Sequence, residues 1–208
     1  MSTTKSALVR VAAIAPVALA ATFGLAGTAS AAATTVSWTC QGTVDGIAQT
    51  SSLSTTVTGT APATATSGST VAITLTPGAV TVPSTASGFT VNSVSNVVIT
   101  TAAPTNSTLV SATAGSGGTG TVAVSNGAVV LTVPGPIAGG ATYTPAPEDI
   151  SVTAGASGQT IQTLYAGSSF SSPGMTLTVN VQTPLGPANV ATVCYANPNP
   201  TLTSTTIS

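Results

Sequence analysis

Residues 121–133 read TVAVSNGAVVLTV, and this stretch decides the fold class of the chain. Val and Thr, which favour extended backbone, flank Asn126-Gly127 on both sides. Asn followed by Gly tolerates positive φ at both central positions of a tight turn. The segment therefore predicts two short antiparallel strands joined as a hairpin.

Strand patterns of the same kind recur on both sides of this hairpin. In VAITLT, residues 71–76, the apolar Val71, Ile73 and Leu75 alternate with smaller or polar residues, so they should share the buried face of a strand. Turn signals containing Gly or Pro separate the candidate strands, and helix signals are nearly absent. Many short alternating strands between such turns indicate an antiparallel β-sandwich or barrel, and therefore an all-β chain.

The sequence also contains a weak internal echo. Residues 68–83 and residues 119–134 both read Thr-Val-Ala followed by Ile or Val, then Gly-Ala-Val, and then Val-Pro. A duplicated hairpin would explain this similarity. In a chain so rich in Thr, Val and Ala, chance explains it equally well.

The N-terminal residues have the three parts of a secretory signal peptide. Lys5 and Arg10 make a positive start, an apolar run extends from 11 to about 27, and small residues follow. Cleavage after Ala31 or after Ala33 satisfies the small-x-small rule, whereas the alternative is an uncleaved membrane anchor. We predict a signal peptide over residues 1–31, a single β-sandwich domain over 34–196 and a flexible tail over 197–208.

Cys40 and Cys194 are the two cysteines of the chain. In an exported protein an even pair predicts a disulfide. A reactive thiol is the alternative, but it would need a neighbouring cation or His to lower its pKa. The bond would close a loop of 154 residues, the difference between the two residue numbers. A loop of that length corresponds to a stabilisation on the order of 5 kcal/mol, and it would tie both ends into one domain.

Charge excludes several classes of function. The chain holds two Lys/Arg, three Asp/Glu and no His, and both cations, Lys5 and Arg10, lie in the predicted signal peptide. Because nucleic acids and anionic membranes are recognised through Lys and Arg, we expect neither as a partner. Catalytic Ser or Cys needs a base, and zinc or haem needs ligands that this sequence does not supply. We therefore predict no enzymatic activity, no catalytic residue, no cofactor and no metal site.

The three carboxylates do not form a catalytic pair in the sequence. Asp45 precedes Gly46 in a turn signature, and the adjacent Glu148 and Asp149 would point to opposite faces of a strand. We interpret Glu148 and Asp149 as surface charges, with a weak Ca²⁺ site as the alternative. Since few groups titrate, we expect the free energy of unfolding to vary little between about pH 5 and pH 9.

The aromatic residues divide into two groups. Trp38 lies two positions before Cys40, and Tyr195 directly follows Cys194, so both are expected to pack against the disulfide. A stacking platform for a sugar or an apolar ligand is the alternative. Tyr143 and Phe170 lie in predicted loops, and they are the candidate contact residues.

Four segments carry a resemblance to a known group of proteins. They are VSWTC at 36–40, APATATSGSTV at 61–71, VTVP at 80–83, and the late pair Cys194-Tyr195. Together they resemble exported Ala/Thr-rich β-sandwich proteins of actinobacteria, mostly of unknown function. The resemblance implies an antiparallel immunoglobulin-like β-sandwich and a secreted or cell-surface location. It brings no functional residues with it.

Our leading hypothesis is a secreted, non-enzymatic structural or interaction module of the cell envelope, in contact with an envelope protein or a glycan. One alternative is a carrier of a small apolar ligand in a cleft between sheets, lined by Val and Leu with Phe89 or Tyr143. The other is an accessory carbohydrate-binding module, which would need two or more coplanar exposed aromatic rings. The sequence does not indicate an oligomeric state.

Overall fold

The structure is a computed structural model that describes residues 29–208. Residues 1–28, which hold most of the predicted signal peptide, lie outside the described residues. Within the described range the chain forms strands and no helix. The strands are β1 (Ala29–Val44), β2 (Ile47–Pro62), β3 (Thr64–Ala65), β4 (Thr70–Pro77), β5 (Val80–Thr81), β6 (Thr85–Ala86), β7 (Phe89–Thr101), β8 (Ser107–Ala114), β9 (Thr121–Ser125), β10 (Ala128–Val133), β11 (Ile137–Ala138), β12 (Thr142–Tyr143), β13 (Glu148–Ala154), β14 (Thr160–Thr163), β15 (Met175–Thr183), β16 (Gly186–Ala196) and β17 (Thr203–Ile207).

Twelve of these strands form one antiparallel sheet that folds over on itself. Its order is β8-β13-β4-β2-β1-β16-β15-β7-β10-β9, and β6 and β11 attach to β7. The sheet makes two layers, and the long β1–β2 hairpin joins them. In one layer β2 pairs with β4 over 57–60, and in the other β1 pairs with β16 over 38–42. The edge strands β8 and β9 lie against each other. Residues 29–208 therefore form a single all-β, mainly antiparallel, sandwich-like domain, as predicted.

Two hairpin turns have the backbone geometry that their sequences require. Asn126 and Gly127 have φ of 50° and 74°, and they join β9 to β10. Asp45 and Gly46 have φ of 50° and 79°, and they join β1 to β2. Positive φ at both central positions matches the right-handed twist of the flanking strands. The predicted hairpin at 121–133 is confirmed.

The core is made by alternation along the strands. Val71, Ile73 and Leu75 of β4 are all buried, and Ala72 and Thr76 on the opposite face are exposed. The buried face packs into one continuous cluster of side chains that both layers share. The echo between 68–83 and 119–134 has no structural counterpart, because β9 pairs with β10, whereas β5 pairs with β12 and not with β4.

The C-terminal residues form a strand, and the prediction of a flexible tail over 197–208 is wrong for them. Strand β17 lies between β14 and β3 in a three-stranded sheet, and it pairs in parallel with β3. Leu202 and Ile207 are 3% and 1% exposed, so the segment contributes apolar side chains to the core. The strand is hard to recognise in the sequence because Thr203–Ile207 contains three Thr, one Ser and a single large apolar residue.

The disulfide is formed. Cys40 and Cys194 face each other directly in the β1–β16 pair, with an S–S distance of 2.09 Å and a sequence separation of 154. Both residues are buried. The bond joins an early strand to a late one in the middle of the main sheet, which agrees with the prediction of one domain.

Candidate functional site

An apolar cleft lies between one face of the main sheet and a short segment that crosses above it. Its volume is about 280 Å³. All of its lining residues are apolar or carry hydroxyl groups, apart from the disulfide-bonded Cys40. They are Cys40, Ser51, Ser52, Leu53, Pro83, Thr85, Ala86, Ser87, Val91, Val94, Leu177, Val179 and Thr192.

The floor of the cleft is a stripe of inward-facing side chains on β15 and its neighbours. Leu177 and Val179 lie on the face of β15 that also carries the buried Met175 and Val181. Their side chains are only half-buried, although the alternation of the strand directs them inward. Leu53 of β2 is half-buried in the same way. The floor is therefore apolar surface that the opposite layer does not fully cover.

The roof is a segment of residues 80–87, called here the cover segment. It is held at Val82, whose N–H donates to Ala141 O at 2.9 Å and whose carbonyl accepts from Gly140 N at 2.8 Å. Strand β5 at its start pairs with β12. At its end β6 joins the edge of the main sheet by pairing with β7, and Ser87 and Gly88, both with positive φ, turn the chain into β7. The cover segment is thus fixed by backbone hydrogen bonds, and it leaves a space above Leu177.

Two smaller cavities adjoin the cleft along the same floor. One, of about 60 Å³, is lined by Phe89, Val181 and Val190 among others, and it shares Val179 with the cleft. The other, of about 50 Å³, is lined by Tyr143 and Met175 among others, and it shares Leu177 with the cleft. Burial raises the pKa of Tyr143, so its hydroxyl stays protonated in this second cavity.

The mouth of the cleft is polar but uncharged. Ser51 and Ser52 of β2 lie on one side and Thr85 and Ser87 of the cover segment on the other, and all four are exposed. In the described part of the chain no charged side chain lines the cleft or its two adjoining cavities. The arrangement can hold a neutral apolar molecule, with hydroxyl groups at its outer end.

The candidate contact residues Tyr143 and Phe170 lie in different places. Tyr143 lines the small cavity that adjoins the cleft near Met175, whereas Phe170 lines neither that cavity nor the cleft. The ring of Phe170 packs edge-on against Tyr195, with ring centroids 5.2 Å apart and an interplanar angle of 77°. Trp38 is 1% exposed, as expected for a core residue, and its Nε1 donates to Thr55 Oγ1 at 3.0 Å. These rings do not form the coplanar exposed pair that a carbohydrate-binding module would need.

Glu148 is a core residue, so its interpretation as a surface charge is wrong. It is 1% exposed in β13, where Oε2 accepts a hydrogen bond from Thr101 Oγ1 at 2.8 Å and Oε1 has no partner. Burial raises the pKa of this carboxyl to about 7, and the Thr101 hydrogen bond opposes this rise only in part. Burial, with a smaller contribution from the Glu148 charge, also raises the pKa of Tyr165. The carboxyl does not line the cleft.

The other two acids lie apart from Glu148. Asp149 faces the opposite side of β13, as predicted, and its Oδ1 accepts from Thr74 Oγ1 at 2.9 Å. Asp45 occupies the β1–β2 turn. Because Glu148 and Asp149 lie on opposite faces of β13, they cannot bind one Ca²⁺ ion together. Over residues 29–208 no three Cys, Asp or Glu side chains come together in a way that could hold a metal ion.

Sequence reasoning did not identify most of the cleft residues individually. Alternation marks Leu53, Leu177 and Val179 as inward-facing, but it does not indicate that the facing layer leaves them uncovered. The gap depends on the cover segment, whose strands are two residues long and give almost no periodic signal. The short Ser87-Gly88 turn was the one local sign of a chain reversal there.

Comparison with known proteins supports the fold alone. No family model and no curated protein matches this sequence. Over residues 29–208 no helix has the length and hydropathy to cross a membrane. The chain is similar to a crystal structure from Corynebacterium diphtheriae, of a protein described provisionally as membrane anchored, with a TM-score of 0.51 and 13% identity. The similarity covers 86% of this chain and 38% of that one, so this chain shares an all-β architecture with part of a longer actinobacterial protein.

Proposed function

We propose that this chain is an exported, non-enzymatic module of the cell envelope that binds a small apolar molecule in the cleft beneath the cover segment. The buried disulfide supports an oxidising location outside the cytoplasm. The structural neighbour described provisionally as membrane anchored is compatible with an envelope setting. Residues 34–208 contain no Lys, Arg or His, which supports binding by contact rather than proton-transfer chemistry.

The half-buried floor of the cleft is the observation that carries this proposal. Side chains such as Leu177 and Val179 would be fully buried in a layer packed for stability alone, because interiors reach the density of organic crystals. Here they face a space of about 280 Å³ that is fixed by the backbone of the cover segment. Burying apolar surface on a ligand would recover roughly 25 cal/mol for each Å² removed from water.

The proposal is tested by filling the cleft. We expect Leu177→Trp to reduce binding of the neutral dye Nile red at least about tenfold, because the indole occupies the space above the floor. Thr176→Trp places the same side chain on the exposed face of the same strand, and it should bind the dye as the wild type does. Fluorescence titration measures both. Equal binding by the wild type and Leu177→Trp would contradict the proposal.

A second variant keeps this test independent of folding defects. Ala86→Leu fills the cleft from the cover segment instead of the floor, and it should also weaken dye binding. A melting temperature within a few degrees of the wild type shows for each variant that the fold is intact. A dye that fails to bind the folded wild type would remove the proposal.

A second candidate function is contact with an envelope protein by strand addition. Within residues 29–208, the part of β2 from Ile47 to Thr55 pairs with β1 on one side only. This stretch contains no charged residue and no Pro, which are the usual guards of an exposed strand edge. An extended peptide could continue the sheet there through backbone hydrogen bonds.

Strand addition predicts a specific loss of retention. Thr50→Lys puts a charge on the free edge, and it should abolish retention of the protein on isolated cell envelopes. Thr176→Lys adds the same charge to β15, which is paired on both sides, and it should leave retention unchanged. Sedimentation with envelope fractions measures both variants. Equal retention of the two variants would contradict strand addition.

A further inference from the structure

We infer that the apolar cleft takes one hydrocarbon chain of an amphiphile whose head group is uncharged and carries hydroxyls. This inference rests on the proposed function and specifies the class of its ligand. The head group would lie at the mouth, between Ser51 and Thr85, and the chain would run beneath the cover segment toward Met175.

The length of the space fits an extended chain. The cleft and its two adjoining cavities follow the floor of β15 from Val181 to Met175. From Val179, which lines the cleft together with the mouth residues, to Met175 an extended strand covers four residue steps, about 13 Å. Half of the hydrocarbon core of a bilayer, which one acyl chain spans, measures about 15 Å. The distance from the mouth to Met175 is therefore close to the length of a single extended acyl chain.

The polarity of the space indicates the head group. Ser51, Ser52, Thr85 and Ser87 line the mouth, where Ser51 shares the face of β2 that carries Leu53, and the floor below them is apolar. A carboxylate or phosphate at the mouth would find no cation, because residues 34–208 contain none. An ammonium group would find no acidic side chain lining the cavities. A charge brought there would lose hydration without an ion pair, whereas a hydroxylated neutral head group can exchange hydrogen bonds with hydroxyl side chains at the mouth.

The test is displacement of Nile red from the wild-type protein by amphiphiles that share one chain and differ in head group. The probes are monododecanoylglycerol, dodecanoate at about pH 8 and dodecyltrimethylammonium, each below its micelle concentration. Monohexanoylglycerol tests the length of the chain. We expect monododecanoylglycerol to displace the dye at concentrations at least about tenfold lower than any of the other three probes.

The outcomes separate this inference from the proposed function. Displacement by dodecanoate or by the short chain at the same concentration as monododecanoylglycerol would overturn the inference and leave the apolar cleft in place. The inference also fails if the dye binds and monododecanoylglycerol does not displace it. If the dye does not bind at all, the proposed function itself fails.

Variants at the mouth test the position of the head group. Ser51→Ala combined with Thr85→Val removes hydroxyls from both sides and leaves the floor unchanged. Loss of about one hydrogen bond corresponds to roughly a fivefold weaker affinity. We expect that loss for monododecanoylglycerol after its displacement curve is corrected for the affinity of each protein for Nile red. Equal affinities of the double variant and the wild type for monododecanoylglycerol would place its head group elsewhere and overturn this assignment.

Discussion

The free energy of unfolding is expected to fall by about 3 kcal/mol as the pH rises from about 4.5 to above 7, and Glu148→Gln should abolish this fall. The Glu148 carboxyl has an ordinary pKa of 4.5 and a pKa of about 7 in the folded chain. Below pH 4.5 it is protonated in both states. As the pH rises, the unfolded chain releases this proton first, so unfolding becomes easier until the folded carboxyl also ionises.

The Gln variant separates this carboxyl from the rest of the chain. Gln keeps an acceptor for Thr101 Oγ1, which donates to Glu148 Oε2 at 2.8 Å, but it cannot ionise. Asp149→Asn is the matched control, because it removes the neighbouring acid on the exposed face of β13 and should keep the wild-type slope. Denaturant unfolding at a series of pH values measures all three proteins. A flat profile for the wild type would show that the Glu148 charge is solvated or paired in the folded state.

This prediction replaces the expectation of a nearly constant stability between about pH 5 and pH 9. Few groups titrate, as the composition indicates, but the Glu148 carboxyl is buried and its Oε1 has no hydrogen-bond partner. A single displaced pKa is enough to govern the profile, because a tenfold difference in proton affinity between the folded and unfolded chains corresponds to about 1.4 kcal/mol. The number of titratable residues therefore does not determine the size of the effect.

Replacing both Cys40 and Cys194 by Ala is expected to lower the free energy of unfolding by about 5 kcal/mol. The disulfide closes a loop of 154 residues, and its loss releases that constraint from the unfolded chain. For a domain of this size each kcal/mol corresponds to roughly 2–4 °C, so the melting temperature should fall by about 10–20 °C. Thermal unfolding followed by circular dichroism measures the change.

A reductant provides the control for the disulfide prediction. Equilibrium unfolding of the wild type with excess dithiothreitol should match the double variant, and the double variant itself should not respond to the reductant. Since both cysteines are buried, the reduced protein has to be measured after full equilibration. A loss below about 1 kcal/mol would mean that the antiparallel β1–β16 pair alone keeps the ends together.

The sequence by itself determined the elements whose signals are local. Alternation placed Val71, Ile73 and Leu75 on one buried face, and Asn126-Gly127 set a hairpin turn, because period-two patterning and positive φ are properties of a few adjacent residues. Export chemistry predicted the pairing of Cys40 with Cys194, since the chain offers no other cysteine. These predictions were correct because none of them required knowing which distant side chains pack against the residues concerned.

Only the tertiary structure decided the features that depend on what packs opposite a residue. Glu148 is buried because its side chain faces the interior, where Thr101 of β7 donates to it, and Ile207 is buried because β17, paired between β14 and β3, directs it into the shared core. The cleft exists because backbone hydrogen bonds at Val82 hold the cover segment above Leu177. A side chain's direction is encoded in its own strand, but whether it meets another layer, a charge or empty space depends on residues far away in the chain.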